Sequence, residues 1–294
     1  MDKESLAIVY ALISMVAFGL SNGIMKDYVR KYGSTQIIVY RNVVAIPVIF
    51  IAVLLFRDQQ NFSPKHVILS ILLACITYFA LYFYMKALSN GKVGIVSPIS
   101  NLRAIIASII GVTFLQDTLN LPQGMSILAI VFATSLISLD FKNLKNSQIL
   151  NIKSGIAYSF LAALIWGFTI PFFSPLAAKL GAFLFAFLLE GTVLLMSSSQ
   201  TLLKRENLLP PKKDLRKDWL PLVFTGLLVG IGSIFINLGF STGRIGIVAA
   251  VGGSSPLIAT IYAGIIYKER LHKKHYLAIL IIIIGIFALS YFGN

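Results

Sequence analysis

SNGKVGIVSPISNLRAIIASIIGVTFLQDTL (89–119) and STGRIGIVAAVGGSSPLIATIYAGIIYKERL (241–271) lie over one another without a gap. Ser89/Ser241, Gly91/Gly243, Gly94/Gly246, Ile95/Ile247, Val96/Val248, Ile106/Ile258, Ala107/Ala259, Ile109/Ile261 and Leu119/Leu271 are identical pairs. Lys92/Arg244, Ser108/Thr260 and Asp117/Glu269 keep their chemistry. Working outward, Tyr10, Phe18, Gly19 and Ser21 match Tyr158, Trp166, Gly167 and Thr169, while Ile127, Leu128, Ile130 and Ser138 match Ile279, Leu280, Ile282 and Ser290. The chain therefore reads as one unit used twice, over 1–140 and 154–294, with a linker at 141–153.

The copies are built for lipid. A chain of 294 residues that is 57% hydrophobic, with a mean hydropathy of +0.85, has more apolar surface than a water-soluble domain can bury. Runs long enough to cross a bilayer, about 20 residues, fall at Leu6–Met25, Thr35–Phe56, Val67–Leu88, Val93–Leu115, Pro122–Leu139, Ser154–Phe173, Ala182–Leu203, Trp219–Phe240, Ile245–Tyr267 and Lys274–Phe292. The short loops between them leave no room for a soluble domain. The expected fold is an all-α membrane protein of ten transmembrane helices. Leu6–Met25 is too long and its flank, MDKES, too mixed in charge for a cleaved signal.

Five spans per copy is an odd number, so the second copy must enter the membrane from the other side, giving two inverted repeats. Charge agrees. The loops after spans 1, 3, 5, 7 and 9 hold 17 Lys and Arg, against five on the opposite face. The positive-inside rule then puts both termini outside the cytoplasm and KRENLLPPKKDLRKD (204–218) within it. The net charge of +14 is thus a topology signal, and its dispersal among apolar spans argues against nucleic acid.

Charges at membrane depth are costly, so they lead the candidate list. Arg103 sits mid-way along span 4, where its insertion costs about 2.5–3.5 kcal/mol, and its repeat mate is Ser255. The polar run Ser97, Ser100, Asn101, Arg103 is expected to face Gly252, Gly253, Ser254 and Ser255 across the axis between the copies. Arg103 would then attract a carboxylate or phosphate, or be an internal ion-pair partner. Glu190, the acid inside a span, reads as a coupling group or as the partner of Arg103 or another buried cation. Arg41 and Lys86 are shallow enough to anchor at the surface. Tyr78 and Tyr82, whose hydroxyls need partners at depth, are candidate cavity walls with Trp166 opposite; Asn22 and Asn237 join them. Pro98, Gly252, Gly253 and Pro256 are candidate hinges.

Catalytic constellations are not visible. The three His lie in loops, and Glu269-x-x-His272-x-x-His275 sits at a span boundary among cations, so it reads as loop charge rather than a metal site. No phosphate loop or dinucleotide fingerprint occurs, so neither a cofactor nor enzyme activity is expected, and the single Cys75 cannot form an internal disulfide.

With its five-plus-five repeat, the chain resembles the drug/metabolite transporter superfamily in its EamA-type ten-helix branch. Phe18-Gly19 and Trp166-Gly167 carry the resemblance, together with Arg41, Ala87-Leu88 before Gly91, and Pro256 followed by Glu269-Arg270-Leu271. It departs where Ala104 stands at the repeat position of Pro256 and a proline occurs earlier, at Pro98. The resemblance implies a central cavity lined by spans 1, 3, 4, 6, 8 and 9, and often cytoplasmic termini, against the charge count. It implies a secondary transporter in a bacterial inner membrane, with a small solute and the bilayer as partners and a homo-oligomer as a further option. An amino acid or similar carboxylate, exported, suits Arg103. The alternative is proton-coupled efflux of organic cations; a membrane enzyme or scaffold is the third class.

Overall fold

The computed structural model describes residues 2–57, 60–90, 93–138, 155–208, 212–266, 268 and 273–292. Its helices are α1 (Lys3–Tyr32), α2 (Ser34–Leu55), α3 (Pro64–Asn90), α4 (Val93–Phe114), α5 (Leu121–Ser138), α6 (Ile156–Thr169), α7 (Phe173–Leu180), α8 (Ala182–Leu203), α9 (Lys212–Thr242), α10 (Ile245–Gly253), α11 (Ser255–Ile266) and α12 (Lys273–Tyr291). Among the described residues eight helical spans are long and apolar enough to cross a membrane, and Ile99–Phe114 and Leu121–Leu136 are shorter apolar helices. At 1.5 Å per residue the 22-residue α8 is about 33 Å long, against a hydrocarbon core of about 30 Å. The outer faces carry side chains only lipid would suit, such as Phe132 (64% exposed) and Phe287 (73%).

Local chemistry sets the breaks. Gly33 at φ 89° and Gly181 at φ 90° separate α1 from α2 and α7 from α8, a backbone turn that L side chains resist. Span 6 is broken: Pro171 has no N–H for the α-helical ladder, and Ile170–Phe172 tighten to a 3₁₀ turn before α7 carries the span on to Leu180. Span 9 breaks at Ser254, whose N–H turns back to the Val251 carbonyl at 3.0 Å. Spans 1, 3 and 8 run past their expected ends, since charged and polar residues extend a helix once it leaves the hydrocarbon. The expected bend at Pro98 is not matched by a break, as α4 is continuous over Val93–Phe114; losing one N–H near the helix start leaves the rest of its ladder intact.

Contacts distant in sequence define the two ends of the bundle. At one end Asn61 N–H donates to the Leu180 carbonyl (2.9 Å), Ile245 N–H to Asp117 Oδ2 (2.9 Å), and Gln123 Nε2 to the Phe292 carbonyl (3.0 Å). Glu4 lies there beside Arg244 at 3.9 Å. At the other end Lys31 meets Asp218 at 2.6 Å, Lys204 Nζ donates to Thr35 Oγ1 (2.8 Å), and Gln36 Nε2 to the Asn207 carbonyl (3.1 Å). This second end is the basic one. α1 leads toward it, whereas α6 starts near it and leads away.

Two close helix crossings fix the interior. A Cβ on Gly19 would sit 2.5 Å from Ile258 Cβ, and one on Gly167 would sit 2.6 Å from Ile106 Cβ. Only glycine admits these approaches, and helices in lipid depend on such contacts because no hydrophobic drive holds them together.

Candidate functional site

A central cavity of about 180 Å³ is walled by one stripe from each surrounding helix. α3 contributes Thr77, Leu81, Tyr84 and Met85; α9 contributes Ser233, Ile236, Asn237 and Phe240. Both sets have the three- and four-residue spacing of a single helix face. α6 and its break add Trp166 and Ile170, α8 adds Leu189, Glu190 and Val193, and α4 adds Ser100, Asn101 and Arg103.

Two guanidinium groups reach this cavity and differ in company. Arg103 lies over the Trp166 ring, its Cζ 4.5 Å from the centroid, a cation–π contact that holds the group without cancelling its charge. Among the described residues no carboxylate pairs with it. Arg41, by contrast, is 7% exposed and its Nη2 is 3.8 Å from Glu190 Oε2. Asn42 ties the two together: its Oδ1 accepts from Arg41 Nε (2.9 Å), and its Nδ2 donates to Glu190 Oε2 (2.8 Å) and to the Glu190 carbonyl (3.0 Å). Arg41 therefore does not anchor at the surface as expected, because α2 turns it inward to an acid. Glu190 partners Arg41, not Arg103.

Polar atoms without partners line the same space. Thr77 Oγ1, Ser100 Oγ, Asn101 Nδ2 and Asn237 Oδ1 are buried with no hydrogen bond among the described residues. Asn237 is oriented by its Nδ2, which donates to the Ser233 carbonyl at 2.8 Å, so its Oδ1 is the free end. Each such group costs about 1–3 kcal/mol if nothing ever meets it. Among the described residues the cavity thus holds one cation with no carboxylate partner and several unmet donors and acceptors.

Of the residues singled out in the sequence, Arg103, Asn101, Ser100, Ser255, Trp166, Asn22, Asn237 and Glu190 border the cavity, as do Gly252, Gly253 and Pro256 at the break between α10 and α11. Ser254 does not: its hydroxyl donates to the Ala250 carbonyl (2.9 Å) and faces Thr134 (3.4 Å). Tyr78 and Tyr82 are not among the cavity walls either, because they lie on the α3 face beside the Thr77–Leu81–Tyr84 stripe. Tyr78 is 2% exposed and donates its hydroxyl to Gln200 Oε1, while Tyr82 stands among lysines near the basic end. The side chains of Ser97 and Pro98, and Glu269 with His272, lie outside the described residues.

Sequence reasoning missed Phe18 as a wall, and with it Thr77, Tyr84 and Ser233. The signal for α3 was present, since Thr77, Leu81 and Tyr84 form a stripe at helical spacing. At the far end from the lysines, Asp117 caps the start of α10. Burial pushes its carboxyl above the ordinary range, against the Ile245 and Gly246 N–H groups and Arg244, which favour the charged form.

Lipid-facing helices around a polar, charged chamber make this a multi-pass integral membrane protein of the transporter kind. The model of the EamA-like transporter family matches residues 5–139 and again 153–291, and the chain belongs to that family. An uncharacterized protein of Methanocaldococcus jannaschii is 31% identical over 136 residues, 45% of this chain and 96% of that protein. A solved crystal structure superposes with a TM-score of 0.76 at 14% identity, over 98% of both chains, a likeness of fold alone.

Proposed function

We propose that the chain is a secondary transporter that moves a small carboxylate-bearing solute, an amino acid or close relative, across a bacterial inner membrane, with export the favoured direction. The observation that carries this reading is Arg103: a cation at mid-helix, on the cavity wall, with no carboxylate partner among the described residues. A substrate carboxylate would supply the missing charge. Asn101 Nδ2 would add a second donor, and Asn237 Oδ1 would take an ammonium or hydroxyl of the same solute.

The mechanism is alternating access by ten spans arranged as inverted five-helix units, 1–140 and 154–294, about the 141–153 linker. Repeat-related contacts support this. Gly19 against Ile258 and Gly167 against Ile106 are one contact made twice. α2 and α8 are both 22 residues and both follow a glycine with φ near 90°, which makes Asn42 and Glu190 mates, as Asn101 and Gly253 are. Both pairs of mates touch: Asn42 bonds Glu190, and Asn101 Oδ1 is 3.6 Å from the Cβ position of Gly253. A residue meets its own mate only on the axis relating the copies, so that axis threads the cavity. The units would rock about it, with the Ser254 break as the flexible point. The basic end faces the cytoplasm on charge grounds.

The test is a thermal-shift screen of the purified protein against amino acids, nucleotides and organic cations, followed by flux of the hits into proteoliposomes. A ligand of the folded form raises its apparent stability. Stabilisation by carboxylate-bearing solutes, lost in Arg103→Gln, is the expected result. Stabilisation by organic cations alone would overturn it in favour of cation efflux, a reading the Arg41 clamp on Glu190 already weakens.

A further inference from the structure

Equivalent positions of the two copies have different occupants at the two ends of the bundle. At the far end Phe56 stacks on Phe183 at 4.8 Å, and Leu238 packs in the same apolar cluster as Phe183. Their repeat mates at the basic end are Lys204, Thr35 and Lys86. Lys86 Nζ lies 4.7 Å from the Tyr158 ring centroid and 5.8 Å from that of Tyr82. Lys204 Nζ lies 5.3 Å from the same Tyr82 ring and donates to Thr35 Oγ1 at 2.8 Å. Neither lysine pairs with a carboxylate among the described residues, whereas Lys31 at that end is paired with Asp218 at 2.6 Å. A cation on a ring is fixed in place but keeps its charge.

Lys86 also ends a line of lipid-facing side chains. Leu72 (56% exposed), Phe79 (45%) and Lys86 recur every seven residues, about two helical turns, along the outward side of α3. From Leu72 to Lys86 the line is about 21 Å long, more than one leaflet's share of a hydrocarbon core about 30 Å thick. Leu203, beside Lys204, and Phe160, two residues from Tyr158, are exposed as well.

We infer that Lys86 and Lys204 bind the phosphate of an anionic phospholipid from the leaflet at the basic end, with an acyl chain lying along Phe79 and Leu72. The apolar line beneath the charges selects a lipid over a free anion, and none of Lys86, Lys204, Tyr82 and Tyr158 lines the central cavity. Snorkelling alone would release the ammonium groups to water. Here two rings and a threonine hold them where α3 meets α6 and α8, and a basic gap between spanning helices suits an anionic headgroup. The lipid would tie α3 of the first copy to α6 and α8 of the second. This site goes beyond the carrier reading and does not depend on it.

The test takes the purified full chain in an uncharged detergent, with phosphatidylglycerol, phosphatidylcholine or inorganic phosphate added. Phosphatidylglycerol should raise Tm, and the other two should not. In Lys86→Gln/Lys204→Gln the phosphatidylglycerol content that gives half the rise should increase about 20-fold, and Lys86→Arg/Lys204→Arg should keep the response. Arg30→Gln/Arg216→Gln removes the same charge from exposed positions on α1 and α9, and should respond as wild type does. An equal rise with inorganic phosphate, an equal loss in both Gln pairs, or no loss in either would overturn the site. Should the double lysine variant not fold, Lys204→Gln alone, at an exposed position, should weaken the response about fivefold; an unchanged response there would overturn the site as well.

Discussion

Tyr10 touches Phe235 at one end of the bundle with ring centroids 5.9 Å apart, and their repeat mates Tyr158 and Phe83 touch at the other end at 6.0 Å. Beside them the likeness fails: Phe56 stacks on Phe183 at one end, where the mates at the other are a lysine and a threonine joined by a hydrogen bond. The same split occurs in the cavity, where Arg103 of the first copy lies over Trp166 of the second and the corresponding positions are Ser255 and Phe18. Packing follows the duplication and charge does not. The halves share a frame, and the solute would read the differences between them.

The largest expected effect falls on the Asn42–Glu190 contact. Glu190→Ala strands Arg41 in the interior and should cost about 3–5 kcal/mol, read as a large drop in Tm. Asn42→Ala, at the mate position, removes a neutral amide and should cost clearly less. Equal losses would mean that the two mates do equivalent work. Next comes Arg103→Gln, which should weaken binding of a carboxylate ligand on the order of 100-fold with little change in Tm. Ser255→Ala should leave affinity close to wild type, and a matching loss there would break the claim that charge is one-sided. Gly19→Ala and Gly167→Ala should each destabilise by about 1–3 kcal/mol through overpacking, and by similar amounts, since each new Cβ meets an isoleucine at about the same distance. Divergent values would break the claim of a shared frame. The smallest effect belongs to Asp117→Ala, which removes the cap on α10 and should cost about 1 kcal/mol, measured as a lower Tm.

How far this was legible in the sequence depended on what each feature rests on. Helices and repeat were readable because lipid demands long apolar runs and duplication leaves paired residues. The walls of α4, such as Asn101 and Arg103, were readable because polar groups at depth are costly. The pairing of Arg41 was not. Its depth suggested a surface anchor, and only the rotation of α2 against α8 sets it beside Glu190. Tyr78 and Tyr82 were misjudged for a related reason: a run of aromatics from 78 to 84 offers two adjoining faces, and packing against α8 decided which one turns outward. The break at Ile170–Phe172 had a visible cause in Pro171, but its place on the cavity wall is a matter of tertiary contact.

The hydrogen bond from Asn42 to Glu190 is one that a pair of identical chains could not make. In an assembly of two identical five-helix chains, about the length of the archaeal relative, both positions would carry the same residue, and that residue would confront itself. Two asparagines can bond to each other, but two glutamates would repel, and neither pairing offers a lone acid to a neighbouring arginine. A single polypeptide that carries both copies is free of that restriction: its two positions can differ, and an amide can face an acid.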